Sequence, residues 1–148
     1  MARIEASTHI EAPPEQVWAV LADFEAQPEW MVDAVSVTVT GANREGVGVV
    51  VDCRSNVAGV VVSDRMEVTE WSPPRVMAVR HLGRVIRGVG AFELEPTAAG
   101  TRFVWWEEVE APFGGLGDAV AQVVVAPWVR RLFRRSLANL KRVTEEGG

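Results

Sequence analysis

The chain has no tyrosine, one cysteine and two histidines in 148 residues. A lone Cys53 excludes an internal disulfide and any multi-cysteine metal site, and its ordinary role is that of a small buried hydrophobe. As a nucleophile it would need His9 or His81 beside it. Those two histidines lie far apart and neither stands at a metal-ligand spacing, so neither a metal nor another cofactor is expected. Without tyrosine, no phenolic proton donor is available. The chain also lacks a GxGxxG after a strand, a phosphate loop, a GxSxG and an HExxH, which removes the usual support for nucleotide-binding, hydrolase and zinc-protease functions. No apolar run approaches the roughly 18 residues of a membrane span. The opening MARIEASTHIE reads as a strand and not as a basic segment followed by an apolar stretch, so no signal peptide is expected and the location is taken as cytoplasmic.

What is present is an ordinary hydrophobic fraction of 48% and a net charge of −5 that is unevenly spread. Arg130, Arg131, Arg134, Arg135, Lys141 and Arg142 lie in a stretch, residues 119–144, that contains no acid. The body is therefore acidic and the last helix basic. Nucleic acid is not an expected partner, because the basic run carries no interleaved aromatic platform and the acidic body repels phosphate. Arginine stems covering apolar surface on a solvated helix face explain the run equally simply. The cluster Gly114, Gly115 and Gly117 precedes a helix but has no lysine that would make it an anion site.

Length predicts a single domain over residues 1–148. A first strand at 2–10 is followed by a helix at 14–24, with Pro14 at its first position, Glu15 in its first turn, and Val17, Val20, Leu21 and Phe24 forming one apolar stripe. A turn or short helix near 26–31 leads to strands near 34–41, 47–54, 58–71, 75–83, 86–95 and 101–111. Their short separators argue for antiparallel hairpins. A long helix then begins near 114–118 and runs to about 144, with a kink expected at Pro127. Its second half keeps an apolar stripe through Val129, Leu132, Phe133, Leu137, Leu140 and Val143. Its first half, LGDAVAQVVVA, suits either a movable segment over a cavity or a buried helix start.

The stretch Ile10 to Trp30, a strand end followed by APPEQVWAVLADF and a Pro-Glu-Trp turn, resembles the entry of the polyketide cyclase/dehydrase and lipid-transport superfamily, also called START-like or Bet v 1-like. The segments VTEWSPP (Val68 to Pro74), FELEPTAAGT (Phe92 to Thr101) and LANLKRVTEE (Leu137 to Glu146) resemble later parts of the same pattern. The resemblance covers nearly the whole chain. It implies an α+β helix-grip fold, in which a curved seven-stranded antiparallel sheet wraps a long C-terminal helix, with two short helices after the first strand. It also implies a cavity between sheet and helix, but one scaffold of this kind serves many activities.

On the last strand Phe103, Trp105, Glu107 and Val109 share a face, and the resemblance implies that this face looks toward the long helix. The same alternation turns Val60, Val62, Asp64, Met66 and Val68 inward on the fourth strand, and Val76, Ala78 and Arg80 on the fifth. With residue 68 opposite 78, Arg80 stands opposite Met66 and diagonal to Asp64. Asp64, Arg80 and Glu107 then form a polar set in an apolar interior, costly unless paired or solvated. A slip of one residue would turn such a set outward, and a one-residue shift of the fifth strand would bring His81 inward as an acid/base group. Trp30 resembles the family position at the cavity mouth and Trp105 its wall. Trp18 and Trp71 suit core or rim packing, while Trp106 and Trp128 suit surface anchors.

The candidate cavity lining is thus Trp30, Asp64, Met66, Arg80, Phe92, Trp105, Glu107 and Val124, with no catalytic residue assigned. The first expectation is a binding module for a small hydrophobic molecule such as a lipid, polyketide or related metabolite. The second is a cyclase or dehydratase with Glu107 or Asp64 as base and Arg80 as oxyanion partner. The third is an interaction protein using the basic helix. No stable membrane insertion is expected, and oligomeric state is not readable.

Overall fold

Seven strands make one antiparallel sheet in the order β1-β7-β6-β5-β4-β3-β2. The computed structural model of the chain describes residues 2–57, 59–83, 86–110 and 126–147. Within them run β1 (Ala2–Ile10), α1 (Pro14–Ala22), a 3-10 helix (Phe24–Glu29), β2 (Ala34–Thr40), β3 (Val50–Val57), β4 (Val60–Ser72), β5 (Val76–Leu82), β6 (Arg87–Thr97), β7 (Gly100–Val109) and a C-terminal helix, α2 (Ala126–Gly147). Strands β2 to β7 are successive hairpins, and β1 returns to pair with β7, Ile4 opposite Glu107. This is the expected helix-grip arrangement.

Local chemistry sets the first helices. Pro14 opens α1 where its missing N–H costs nothing, and Glu15 lies in the first turn. Val17, Trp18 and Leu21 face the core, with Trp18 edge-on to Trp71 at 5.1 Å between ring centres. The helix ends earlier than its apolar stripe suggested, and Phe24 belongs to the 3-10 helix that follows.

Along α2, Phe133, Ser136, Leu137, Leu140 and Thr144 are buried, while Arg131, Arg134 and Arg135 are exposed. Hydrogen bonds tie this helix to the start of the chain. Gln16 Nε2 donates to the Thr144 carbonyl at 2.8 Å, the Glu11 amide to Glu145 Oε2 at 2.8 Å, and the Val32 amide to Ser136 Oγ at 2.9 Å. Pro127 lies in the first turn of α2 as described. The kink expected there, the half-helix before it and the Gly114 to Gly117 cluster involve residues 111–125, which lie outside the described residues.

One expectation is corrected in the sheet. Val68 pairs with Val79 and Glu70 with Ala78, so Thr69 is an extra residue on β4. A bulge of this kind reverses the alternation beyond it. Even-numbered β4 residues point inward up to Val68, after which Trp71 takes over, and β5 turns its odd-numbered residues inward, burying Met77 and His81 and half-burying Val79. Arg80 is therefore opposite Glu67 on the outer face, where its guanidinium donates to Glu67 Oε1 at 2.8 Å.

Candidate functional site: a cavity with a carboxylate–imidazole–carboxylate wall

Between the inner sheet face and α2 lies a cavity of about 270 Å³. Most of its wall is apolar: Ile4, Val51, Met66, Met77, Val79, Phe92, Trp105 and Phe133 all contribute. Phe133 of α2 stacks on Trp105 of β7, with ring centres 3.7 Å apart and planes 5° from parallel. That contact joins helix to sheet at the cavity's edge.

Polar groups converge on one side. His81 sits between Asp64 on β4 and Glu107 on β7, its side chain only 4% exposed. Its Nδ1 lies 2.9 and 3.0 Å from the two Asp64 carboxylate oxygens, and its Nε2 lies 2.7 Å from Glu107 Oε2. Trp105 Nε1 donates to the other Glu107 oxygen at 3.2 Å. Burial by itself lowers the basicity of the ring. The hydrogen bonds to Asp64 and Glu107 outweigh it, so the pKa is raised to about 10 and the ring holds both protons at neutral pH. Each ring N–H then donates to a carboxylate.

The sheet provides room for this. Glu107 and His81 are on strands separated by β6, whose residues at the crossing are Gly88, opposite His81, and Gly90, opposite Glu107. A Cβ on Gly90 would stand 2.5 Å from Glu107 Cδ, and one on Gly88 would stand 3.0 Å from Val109 Cα. Glycine at alternate positions of a strand marks a close approach, at Gly90 that of the Glu107 side chain and at Gly88 that of the Glu108 backbone carbonyl.

Two further acid groups line the same space. Burial raises the carboxyl pKa of Asp33, which follows the 3-10 helix, and the nearby charge of Asp64 raises it further. The Cys53 thiol, 3.6 Å from Ser55 Oγ, is pushed up to about 11 by burial, with Asp64, Asp33 and Glu107 adding to the shift. That thiol is held protonated, the opposite of an activated nucleophile. Among the described residues no group of His, Cys, Asp and Glu is arranged to hold a metal ion, and no helix is long and apolar enough to cross a membrane.

Of the candidate residues, Asp64, Met66, Phe92, Trp105 and Glu107 line the cavity together. Trp30 does not. It is 1% exposed and lies behind the wall, with ring centres 6.0 Å from Phe92 and 6.3 Å from Trp105. Arg80 is on the opposite face of the sheet, for the reason given by the Thr69 bulge, and Val124 lies outside the described residues. His81 occupies the place sequence alternation gave to Arg80. Asp33, Cys53, Met77, Val79 and Phe133 also line the cavity. Of these, Phe133 had a sequence signal in the apolar stripe of α2, whereas Asp33, in a connecting turn, had none.

A single sheet gripping a C-terminal helix around an internal cavity defines a scaffold for enclosing small molecules. The chain belongs to the family described as polyketide cyclase / dehydrase and lipid transport, whose pattern matches residues 1–145. It is 32% identical to an uncharacterized protein of Mycobacterium tuberculosis (strain ATCC 25618 / H37Rv) over 140 residues, 89% of this chain and 78% of that protein. Among solved structures it resembles a protein of Thermus thermophilus, with a TM-score of 0.83, 20% identity and 99% of each chain covered. It also resembles the Zhui aromatase/cyclase of Streptomyces sp. R1128, with a TM-score of 0.77, 23% identity, and 97% of this chain and 93% of that one covered. At these identities the solved structures show a shared fold.

Proposed function

We propose that the chain binds a small, largely apolar molecule in the cavity between sheet and α2. The observation that carries this reading is the cavity itself, about 270 Å³ with an apolar wall and a few polar groups gathered on one side. Pockets for small molecules are built in this way, although about 300–1,000 Å³ is their usual range. The ligand is accordingly compact, on the scale of a few rings. A lipid, polyketide or related metabolite of that size fits the family.

A second reading is catalysis of a cyclisation or dehydration, favoured by the Glu107 carboxylate at the wall of an apolar cavity, where a base would be needed. Binding is preferred over it for two reasons. Arg80, the group expected to stabilise an enolate oxygen, is on the outer face, and both N–H groups of His81 are already donated to carboxylates.

The test is native mass spectrometry of freshly purified protein, denaturing extraction of whatever it carries, and titration with the neutral apolar fluorophore N-phenyl-1-naphthylamine. Binding at one site is expected, and Val79→Phe, which fills the cavity, should abolish it. Failure of wild-type protein to retain or bind any apolar molecule would remove the reading.

A further inference from the structure

The polar side of the cavity has an unequal stock of charges and hydrogen-bonding groups. Three carboxyl groups, Asp33, Asp64 and Glu107, face one imidazolium, and no lysine or arginine lines the cavity among the described residues. Of the residues outside the described ones, 111–125 contain no lysine or arginine in their sequence, and Arg84 is the one basic residue.

The hydrogen-bond inventory has the same bias. Both N–H groups of His81 and the Trp105 indole N–H are already given to Asp64 and Glu107. A carboxylate has about four lone-pair sites, so each of these acids keeps accepting capacity after those bonds are made. Gln27, Ser55 and Trp128 add a few donors to the lining, and the sites left on three carboxylates still outnumber them. An excess of negative charge in an apolar enclosure is costly unless something positive or donating meets it.

Resting on the binding function proposed above, we infer that the ligand is an apolar, ring-sized molecule with a hydrogen-bond-donating head. A protonated amine fits best and a hydroxyl next, with the head directed at Asp33, Asp64 and Glu107. Carboxylic acids, including free fatty acids, are the class this cavity rejects. An anionic head would face three acidic side chains and find its natural partner, His81, already enclosed by two of them. Selection here is as much exclusion of the wrong charge as attraction of the right one.

Three probes with one ring system separate the possibilities: 2-naphthylmethylamine, 2-naphthalenemethanol and 2-naphthoic acid, titrated calorimetrically into the whole protein at pH 7.4. The amine should bind at least tenfold more tightly than the acid, with the alcohol between them. Asp33→Asn, at a position outside the His81 cluster, should narrow the gap by weakening the amine. Equal or tighter binding of the acid overturns the inference and leaves the cavity as a binding site. Absence of binding by all three, together with failure of N-phenyl-1-naphthylamine to bind, overturns both the inference and the function on which it rests.

Discussion

Glu107 reaches His81 across an intervening strand because the residue directly opposite Glu107 on that strand, Gly90, has no side chain. The carboxylate lies where a Cβ would be. A Gly90→Ala substitution therefore displaces the far end of Glu107 before it disturbs any backbone. Since a neighbouring carboxylate moves a pKa by about 1–3 units, the His81 titration followed by NMR should fall by about one unit or more. An unchanged His81 titration in a folded Gly90→Ala protein would show that the glycine serves some other purpose.

The charged cluster also predicts how stability varies with pH. His81 has a folded pKa raised to about 10 from an ordinary 6.5. The stabilisation it supplies is thus fully present below pH 6.5 and is lost as pH rises through the folded value. Cys53, raised from 9.0 to about 11, pulls in the same direction at higher pH. In a Cys53→Ala background, the urea midpoint should decline from neutral pH to pH 10, and a His81→Asn variant should lack most of that decline. Parallel pH profiles for the two proteins would contradict the assignment.

Phe133 is the aromatic contact between α2 and the wall of the cavity, stacked on Trp105. Truncation to alanine both removes buried area and enlarges the cavity, and should cost about 3–5 kcal/mol in urea unfolding. The same variant should shift the tryptophan emission, since one face of Trp105 is uncovered. A loss below 1 kcal/mol, on the scale of an exposed site, would mean that the stack contributes little to docking the helix.

Arg80 provides the opposite case. Its side chain is 56% exposed and paired with Glu67 across the outer face, so Arg80→Ala should change stability by less than about 1 kcal/mol. Apolar-probe binding should be unaffected. Loss of probe binding in this variant would return Arg80 to the cavity and undo the strand register described above.

The fold was legible because its signals are local and repeated. Proline at the head of α1, apolar stripes on both helices and turn residues between strands mark each element without reference to the others. The candidate site was less so. Asp64 and Glu107 were found because β7 and the first part of β4 keep strict alternation. Arg80 was misplaced because an extra residue at Thr69 reverses that alternation, and nothing in the string VTEWSPP distinguishes a bulged strand from a regular one. His81 followed as the residue one step away. The pair Gly88 and Gly90 was a readable sign of close approach across β6, but which side chain came near depends on pairings between strands that sequence spacing alone does not fix.

The pairing of β1 with β7 has a consequence for how the molecule is made. Ile4 meets Glu107 and Ile10 meets Thr101, so β1 leaves the ribosome before the other six strands of its sheet and has no partner until β7 has followed. The hairpins from β2 to β7 close over short loops, while β1 must wait across a separation whose closure is slow. Its amides should be the last in the sheet to gain protection in pulse-labelled hydrogen exchange. Until then β7 is an uncovered edge, open to strands of other chains, and completion of the sheet is the step at which refolding and aggregation compete.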